Sequence, residues 1–439
     1  MRCRLLACVV VCCLCLVPHS IEAQFEDLAT LIPELFDQTI VLIPAGHQAH
    51  FVDSSQVLRN AGVQINSSIV GQLSTVPISS SAGGFTYKYN EQLGIFERST
   101  GGFGPIFTER AWTIGKGKWN FGLNYFSTDY DAIDDLDLRS GDLEFSLTHL
   151  DSNHDGTNLE TFFEGDLILA DSAISLSTDT TVAFGTYGVT DRFDLAFAVP
   201  LVSVDLNARV STHILRQATE GFEDPPVHRF QDGTSEQDFI SGGSASGVGD
   251  ILLRAKYRLT SKDTAAMAAA TDIRLPTGDD DNLLGSGGTQ AKVYFIGSAV
   301  FGRFSPHVNL GYTFSSGGSD LVGDLSDEIN FAGAFDVAVH PRVTLATEIL
   351  WRTLLDANQV RARQEPFLYR RWDSTEIVST TRPLIDTETE DLNIASGSIG
   401  MKVNIAGTIL LTADLIFSLT DDGLQDQDVI PLIGLDYSF

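Results

Sequence analysis

One pattern constrains this chain more than any other: long stretches in which apolar residues occupy every second position. From Gly117, the residues Trp119, Phe121, Leu123 and Tyr125 alternate with Lys118, Asn120, Gly122 and Asn124. From Gly249, the residues Ile251, Leu253, Ala255, Tyr257 and Leu259 alternate with Asp250, Leu252, Arg254, Lys256 and Arg258. The same holds along 304–315, 328–339 and 408–419. Successive side chains of a strand point to opposite faces, so each stretch is a strand with one apolar and one mostly polar side. These strands exceed the usual globular length of about 5–6 residues.

Their connections alternate in length. Val189-Thr190-Asp191, Ser261-Lys262, Gly302-Arg303, His340-Pro341 and Ile405-Ala406 are tight, whereas 210–246, 276–288, 316–326 and 355–390 are long. Short turns on one side, long loops on the other and an even strand number characterise barrels that cross the bacterial outer membrane. The spacing predicts twelve strands, near 117–130, 173–188, 192–208, 247–259, 263–275, 289–302, 304–316, 327–339, 342–354, 391–404, 406–420 and 428–439. Counting 142–150 and 161–172 as strands gives fourteen, but splits the unbroken alternation of Ile174, Leu176, Thr178, Thr180, Val182 and Phe184. The stretch 131–172 is therefore read as a long outer loop carrying a hairpin extension. In the third strand the apolar face switches from Phe193, Leu195, Phe197 and Val199 to Val202, Val204 and Leu206. A bulge near Pro200 would explain the switch. The last strand, ending Ile433, Leu435, Tyr437 and Phe439, closes on an aromatic residue. The fold class expected is all-β, a transmembrane antiparallel β-barrel.

The N-terminus reads as an export signal. Arg2 and Arg4 precede the apolar run Leu5 to Val17, and the small residue Ala23 stands before Gln24. This is the layout of a cleavable secretory peptide, and the run is short for a spanning helix. All 5 cysteines lie in the first fifteen residues, so 24–439 offers neither a disulfide nor a thiolate metal site. With 28 basic and 58 acidic residues, the formal charge is −30, which argues against a nucleic-acid binder. Residues 24–110 precede the barrel, which starts at 111. Phe25 to Leu42 and Asp53 to Leu73 have helix-like or irregular apolar spacing, and Phe85 to Tyr89 with Leu93 to Arg98 suggest a hairpin. This mixed segment is either a plug in the lumen or a periplasmic extension on the barrel rim.

Several motifs carry a family resemblance. Phe103-Gly104-Pro105-Ile106-Phe107-Thr108-Glu109-Arg110-Ala111 is followed by Thr113-Ile114-Gly115-Lys116-Gly117-Lys118-Trp119. Gly188-Val189-Thr190-Asp191-Arg192-Phe193-Asp194, Gly247-Val248-Gly249-Asp250-Ile251 and Leu275-Pro276-Thr277-Gly278-Asp279 continue the series. Together, over roughly 80–439, they resemble outer-membrane proteins of the family named for the meta-cleavage pathway of phenol degradation. More distantly, the chain is similar to long-chain fatty-acid channels. The resemblance implies a barrel and uptake of apolar or aromatic compounds. It marks strands and turns and assigns no site residues.

The polar faces supply a candidate lumen lining: Asp250, Arg254, Lys256, Arg258, Asp272, Arg274, Lys292, Asp336, Glu348, Arg352, Lys402, Asp414 and Asp436. Such charges either brace the wall or filter solutes along a permeation path. Asp151, Asn153 and Asp155, with Gly156, begin like a calcium loop, but Phe162 stands where a bidentate Glu belongs, and a solvated acidic loop explains the stretch as well. Asp279-Asp280-Asp281 and Asp421-Asp422 fall in outer loops, where divalent ions could bridge them to lipopolysaccharide. His47 and His50 have no further ligand at metal spacing. No nucleophile–base pair is visible in the linear sequence. The expectation is an outer-membrane channel for passive uptake of small, hydrophobic or aromatic solutes. A structural or surface-exposed barrel with an occluded lumen, or a barrel-embedded hydrolase, are the alternatives.

Overall fold

The computed structural model describes residues 27–38, 51, 62–63, 65–66, 69–70, 73, 80–81, 84, 102–151, 159, 161–230, 232–262, 264–319, 323–426 and 428–439, with the backbone of 87–90 and 95–98. Among them, twelve strands close into an antiparallel barrel. They are β1 (Trp119–Tyr130), β2 (Leu167–Thr190), β3 (Phe193–Leu215), β4 (Ile251–Ser261), β5 (Ala265–Leu275) and β6 (Gly288–Ala299). The circuit continues with β7 (Phe304–Ser319), β8 (Glu328–His340), β9 (Val343–Arg370), β10 (Ile377–Ala406), β11 (Ile409–Ser418) and β12 (Ile430–Ser438). Each pairs with its neighbour in sequence, and β12 closes the ring on β1 through pairs such as Leu435↔Leu123. Phe439 completes the seam: its N–H and carbonyl both bond Trp119, at 3.0 Å each. Closure leaves no free edge in the ring, the condition for sheet in hydrocarbon.

The outward faces are apolar along the membrane band. Phe121, Leu253, Phe295, Leu310, Phe331 and Ile433 are among the large side chains exposed there. A strand needs about 9–11 residues to cross a bilayer. Several strands here run much farther. The connections 210–246 and 355–390, expected as long loops, are largely strand. β9 and β10 continue pairing from Ala357↔Glu390 to Arg370↔Ile377, beyond a register shift between Leu354 and Ala357. Glu236–Val248 pairs with the outer half of β3, and Leu143–Thr148 pairs with the outer half of β2. That last pairing is the hairpin extension expected in 131–172.

β3 also resolves the face switch, and it is not a bulge. Its pairing with β2 keeps one register from Leu167↔Leu215 to Gly188↔Asp194, through Val182↔Pro200. Even-numbered residues face inward throughout, with Ala198, Val204, Leu206, Ala208 and Val210 all buried. What inverts is the surroundings. Below Pro200 the outside is lipid and takes Leu195 and Phe197; above it the outside is water, and the apolar residues turn in. The break lies in the partner instead: Ala198 pairs with Leu252 of β4, but Leu201 pairs with Val248, leaving three residues, Gly249, Asp250 and Ile251, opposite two, Val199 and Pro200.

The outer extensions enclose an apolar core of Phe145, Leu176, Leu206, Val210, Val360 and Ile385. Helix α1 (Leu28–Gln38) packs into this core through Leu28, Ile32 and Leu35. Pro33 inside α1 cannot donate to the carbonyl of Ala29. The side chain of Asn66 donates to that carbonyl instead. Asp134 pins the core's rim: its carboxylate accepts the N–H of Val360 and of Gly423, each at 2.8 Å. Burial raises the Asp134 pKa above the ordinary carboxylate value, against the pull of those two bonds. Thus α1 lies at the long-loop end of the barrel, while 102–110 lie at the opposite end. The described residues include the hairpin Tyr87–Asn90 with Ile95–Arg98. The export signal and His47 and His50 lie outside the described residues.

Candidate functional site

The barrel interior is crossed by its own chain. Residues 102–116 traverse it at the tight-turn end without helix or strand structure. Their backbone N–H groups are taken up by wall side chains one after another. Phe103 donates to Thr344 Oγ1 of β9 at 2.9 Å. Ile106, Phe107 and Thr108 all donate to the Glu348 carboxylate, Phe107 at 3.1 and 3.2 Å and Thr108 at 2.7 Å. Glu109 donates to Asn309 Oδ1 of β7 at 2.8 Å, and Asn309 Nδ2 donates back to the Glu109 carbonyl at 3.0 Å. Ala111 donates to Ser298 Oγ of β6 at 3.0 Å, and Ile114 to Asp194 Oδ2 of β3 at 3.1 Å. On the other side Lys402 Nζ donates to the Pro105 carbonyl at 2.6 Å. Irregular backbone persists at membrane depth only where protein satisfies its polar groups, and here the wall does so.

Glu109 sits at the centre of the crossing. Its carboxylate pairs with Arg254, with Lys256 Nζ at 3.1 Å, and with Ser81 Oγ at 3.0 Å. Arg254 also grips Asp272 with two bonds, at 2.7 and 2.6 Å. Lys256 is fully buried and donates besides to the Arg110 carbonyl at 3.3 Å. An unpaired charge in such a place would be costly, so each ion needs its partners.

A second wall group links neighbouring strands. Ser298 Oγ lies 2.8 Å from His307 Nδ1, and His307 Nε2 lies 2.8 Å from Asp336 Oδ1. The order serine–imidazole–carboxylate is that of a hydrolytic triad. The Asp336 carboxylate only accepts, so the Nε2 proton points to Asp336, and Nδ1 of the neutral imidazole then accepts the serine proton while Ser298 Oγ accepts the Ala111 N–H. The crossing segment therefore covers the serine, and the group acts as a latch on the segment.

Beyond the segment a cavity of about 300 Å³ remains inside the barrel. One arc is apolar, from Phe107, Phe126, Leu350, Ile416, Ile430 and Leu432. The other carries four cations, Arg254, Arg274, Lys292 and Arg352, and three carboxylates, Glu109, Asp272 and Glu328.

The residues singled out by alternation thus separate into groups. Arg254, Asp272, Arg274, Lys292 and Arg352 line the cavity. Lys256, Glu348 and Lys402 hold the crossing segment, and Asp336 holds it through His307. Asp250 does neither: its carboxylate accepts Gly278 N–H at 3.0 Å, Ser286 N–H at 2.8 Å and Ser286 Oγ at 2.6 Å, folding the connection 276–288. Asp414 and Asp436 are buried on β11 and β12. Arg258 is half-buried at the tight-turn end, where its N–H bonds the Arg192 carbonyl at 2.8 Å. Glu109 escaped the sequence reading because it precedes the alternating strands, although it stands inside the Thr108-Glu109-Arg110 motif. Of the calcium-loop residues, Asp151 is described, while Asn153 and Asp155 lie outside the described residues. Among the described residues no group of three or more His, Cys, Asp or Glu is gathered for a metal.

Residues 170–359 match the family described as the MetA-pathway of phenol degradation, the family that the motifs resemble. No curated protein matches the chain. Among solved structures, the COG4313 outer membrane channel from Pseudomonas putida F1 is similar at 13% identity. It covers 75% of this chain and 98% of that one, with a TM-score of 0.41. The toluene transporter TodX of P. putida shares 10% identity over 73% of this chain and 89% of its own, with a TM-score of 0.31. A FadL homologue of Pseudomonas aeruginosa shares 12% identity over 74% and 90%, with a TM-score of 0.30.

Proposed function

From that family match along β2–β9, we propose that the protein is an outer-membrane channel for passive uptake of small solutes with apolar or aromatic bodies. The observation that carries this reading is the cavity of about 300 Å³ with its apolar arc inside a closed barrel. A ligand site is typically a concavity of some 300–1,000 Å³, mostly apolar with a few fixed polar groups. In this reading the lipid-facing band seats the barrel in the outer membrane after export, and the outer loops face lipopolysaccharide. The crossing segment is the gate that a solute passes.

The test is permeation by the purified full chain in planar bilayers and liposomes. Glu348→Gln, which weakens the hold on residues 106–108, is expected to raise conductance. Absence of conductance in the wild type, in Glu348→Gln and after deletion of 24–110 would sink the channel. It would support the occluded, structural barrel, a reading favoured by closure at both ends: α1 in the outer core and the segment below. The hydrolase reading rests on Ser298, His307 and Asp336. Ester turnover lost on Ser298→Ala would establish it, and none is expected with the serine covered.

A further inference from the structure

The charged wall of the cavity is not uniformly neutralised. Arg254 is committed to Asp272 and Glu109. Arg352 has Glu328 at 3.7 Å. Two cations differ. Arg274 Nη1 donates to the neutral oxygen of Gln290 at 2.9 Å, and Lys292 Nζ to the neutral oxygen of Asn330 at 3.2 Å. Among the described residues, neither Arg274 nor Lys292 forms an ion pair within 4.0 Å.

The sheet register sets these two side by side. Arg274 pairs with Gln290, and Asp272 with Lys292, on β5 and β6. Arg274 and Lys292 are therefore diagonal neighbours on the inner face, about 7–8 Å apart at the backbone and within reach of a common small group. The Lys292 ammonium also stands 5.2 Å from the centroid of the Tyr294 ring, itself on the cavity wall. Across the cavity lie Phe126, Ile416 and Leu432, which offer no polar group to an anion. Half-buried cations whose hydrogen bonds go only to neutral groups, with the Asp272 and Glu328 carboxylates nearby but beyond ion-pair distance, are costly, and a bound carboxylate would offset that cost with charge-assisted bonds.

We propose that the cavity binds amphiphiles with one carboxylate head and an apolar, ring-sized body. The head sits between Arg274 and Lys292, and the body lies against Phe126, Ile416 and Leu432. This rests on the channel reading and names its substrate class: organic acids rather than neutral hydrocarbons. A cavity of about 300 Å³ suits a single-ring acid and excludes a long acyl chain.

The experiment compares 4-phenylbutyrate with 4-phenyl-1-butanol, which share the body and differ in the head. Binding to the purified full chain in amphipol is measured by calorimetry at neutral pH. The wild type is expected to bind the acid at least about tenfold more tightly than the alcohol. Arg274→Gln and Lys292→Gln should each remove most of that preference while leaving alcohol binding within about twofold. Lys292→Arg, which keeps the charge, should retain the preference, and it reports even if a neutral variant fails to fold. Equal binding of acid and alcohol by the wild type would overturn the proposal, as would loss of preference in Lys292→Arg. Permeation is read separately: acid binding without flux would refute the channel and leave the site standing. Flux without preference would do the reverse.

Discussion

Glu348→Gln probes the hold of the barrel on its own N-terminal segment. In the wild type one buried carboxylate accepts the N–H groups of three consecutive residues, Ile106, Phe107 and Thr108. A hydrogen bond to a charged group contributes roughly 1.5–3 kcal/mol. Glutamine keeps one acceptor oxygen but turns an NH₂ group toward donors that it cannot satisfy. A net loss of about 3 kcal/mol follows, near two of the three bonds. That is a factor of about 150 in the population with the segment released. The readout is trypsin cleavage after Arg110, a peptide bond covered in the folded barrel, followed by fragment mass. When opening and closing are fast against cleavage, the rate tracks the open population, so cleavage should accelerate about 150-fold. Asp232→Asn, on the exposed outer connection, serves as control and should leave the rate unchanged. Acceleration of less than about threefold in Glu348→Gln would refute the view that these bonds hold the segment.

Three further perturbations separate the parts of the fold. Asp134→Ala leaves the N–H groups of Val360 and Gly423 unpaired at the outer rim; at about 1–3 kcal/mol each, their hydrogen exchange should rise at least about tenfold, and unchanged protection would show that Asp134 is not the pin. Phe295 and Ile240 both point outward, at 62% and 74% exposure, but only Phe295 lies in the membrane band; Phe295→Arg should cost about 2–4 kcal/mol in vesicle refolding and Ile240→Arg under about 1, and equal costs would misplace the band. Gly188→Ala would set a Cβ 1.8 Å from the Gly115 carbonyl oxygen; since that oxygen belongs to backbone and cannot rotate aside, a loss of about 1–3 kcal/mol in refolding stability is expected, and a neutral result would contradict the packing of the segment's exit.

Alternation made the membrane part of each strand legible, because lipid outside and polar lumen inside impose opposite demands on neighbouring residues. Past the membrane the demands change and the pattern misleads. In β3 the inward residues stay even-numbered, yet the apolar ones move from Leu195 and Phe197 to Val204 and Leu206, which mimics a bulge. In 361–370 and 377–390 most residues on both faces of a two-stranded ribbon are wet, with Phe367 and Ile385 among the buried apolar exceptions, so no continuous apolar face forms and the sequence there resembles a loop. The polar faces named the inner charges but not their partners. Those partners belong to a segment with neither a 2- nor a 3.6-residue period, since its backbone bonds to side chains rather than to a ladder.

This division bears on where selectivity resides. A twelve-stranded ring is wider than an eight-stranded one, whose side chains fill the interior. Here residues 102–116 occupy part of the difference, and the wall commits several of its polar groups to hold them: Thr344, Glu348, Lys402, Asn309, Ser298 and Asp194 each meet a particular backbone atom. Charges so committed cannot also act as a diffuse filter, because leaving either partner unpaired in the interior costs several kcal/mol. Arg254 and Lys256 are bound in the same way by Glu109. In the proposed channel, discrimination among solutes would fall to the inner cations that hydrogen-bond only neutral groups, Arg274 and Lys292, and to the apolar arc across from them. Changing either of these two should alter which solutes bind while leaving the segment in place, whereas changing Glu348 should release the segment and leave the preference for a charged head intact.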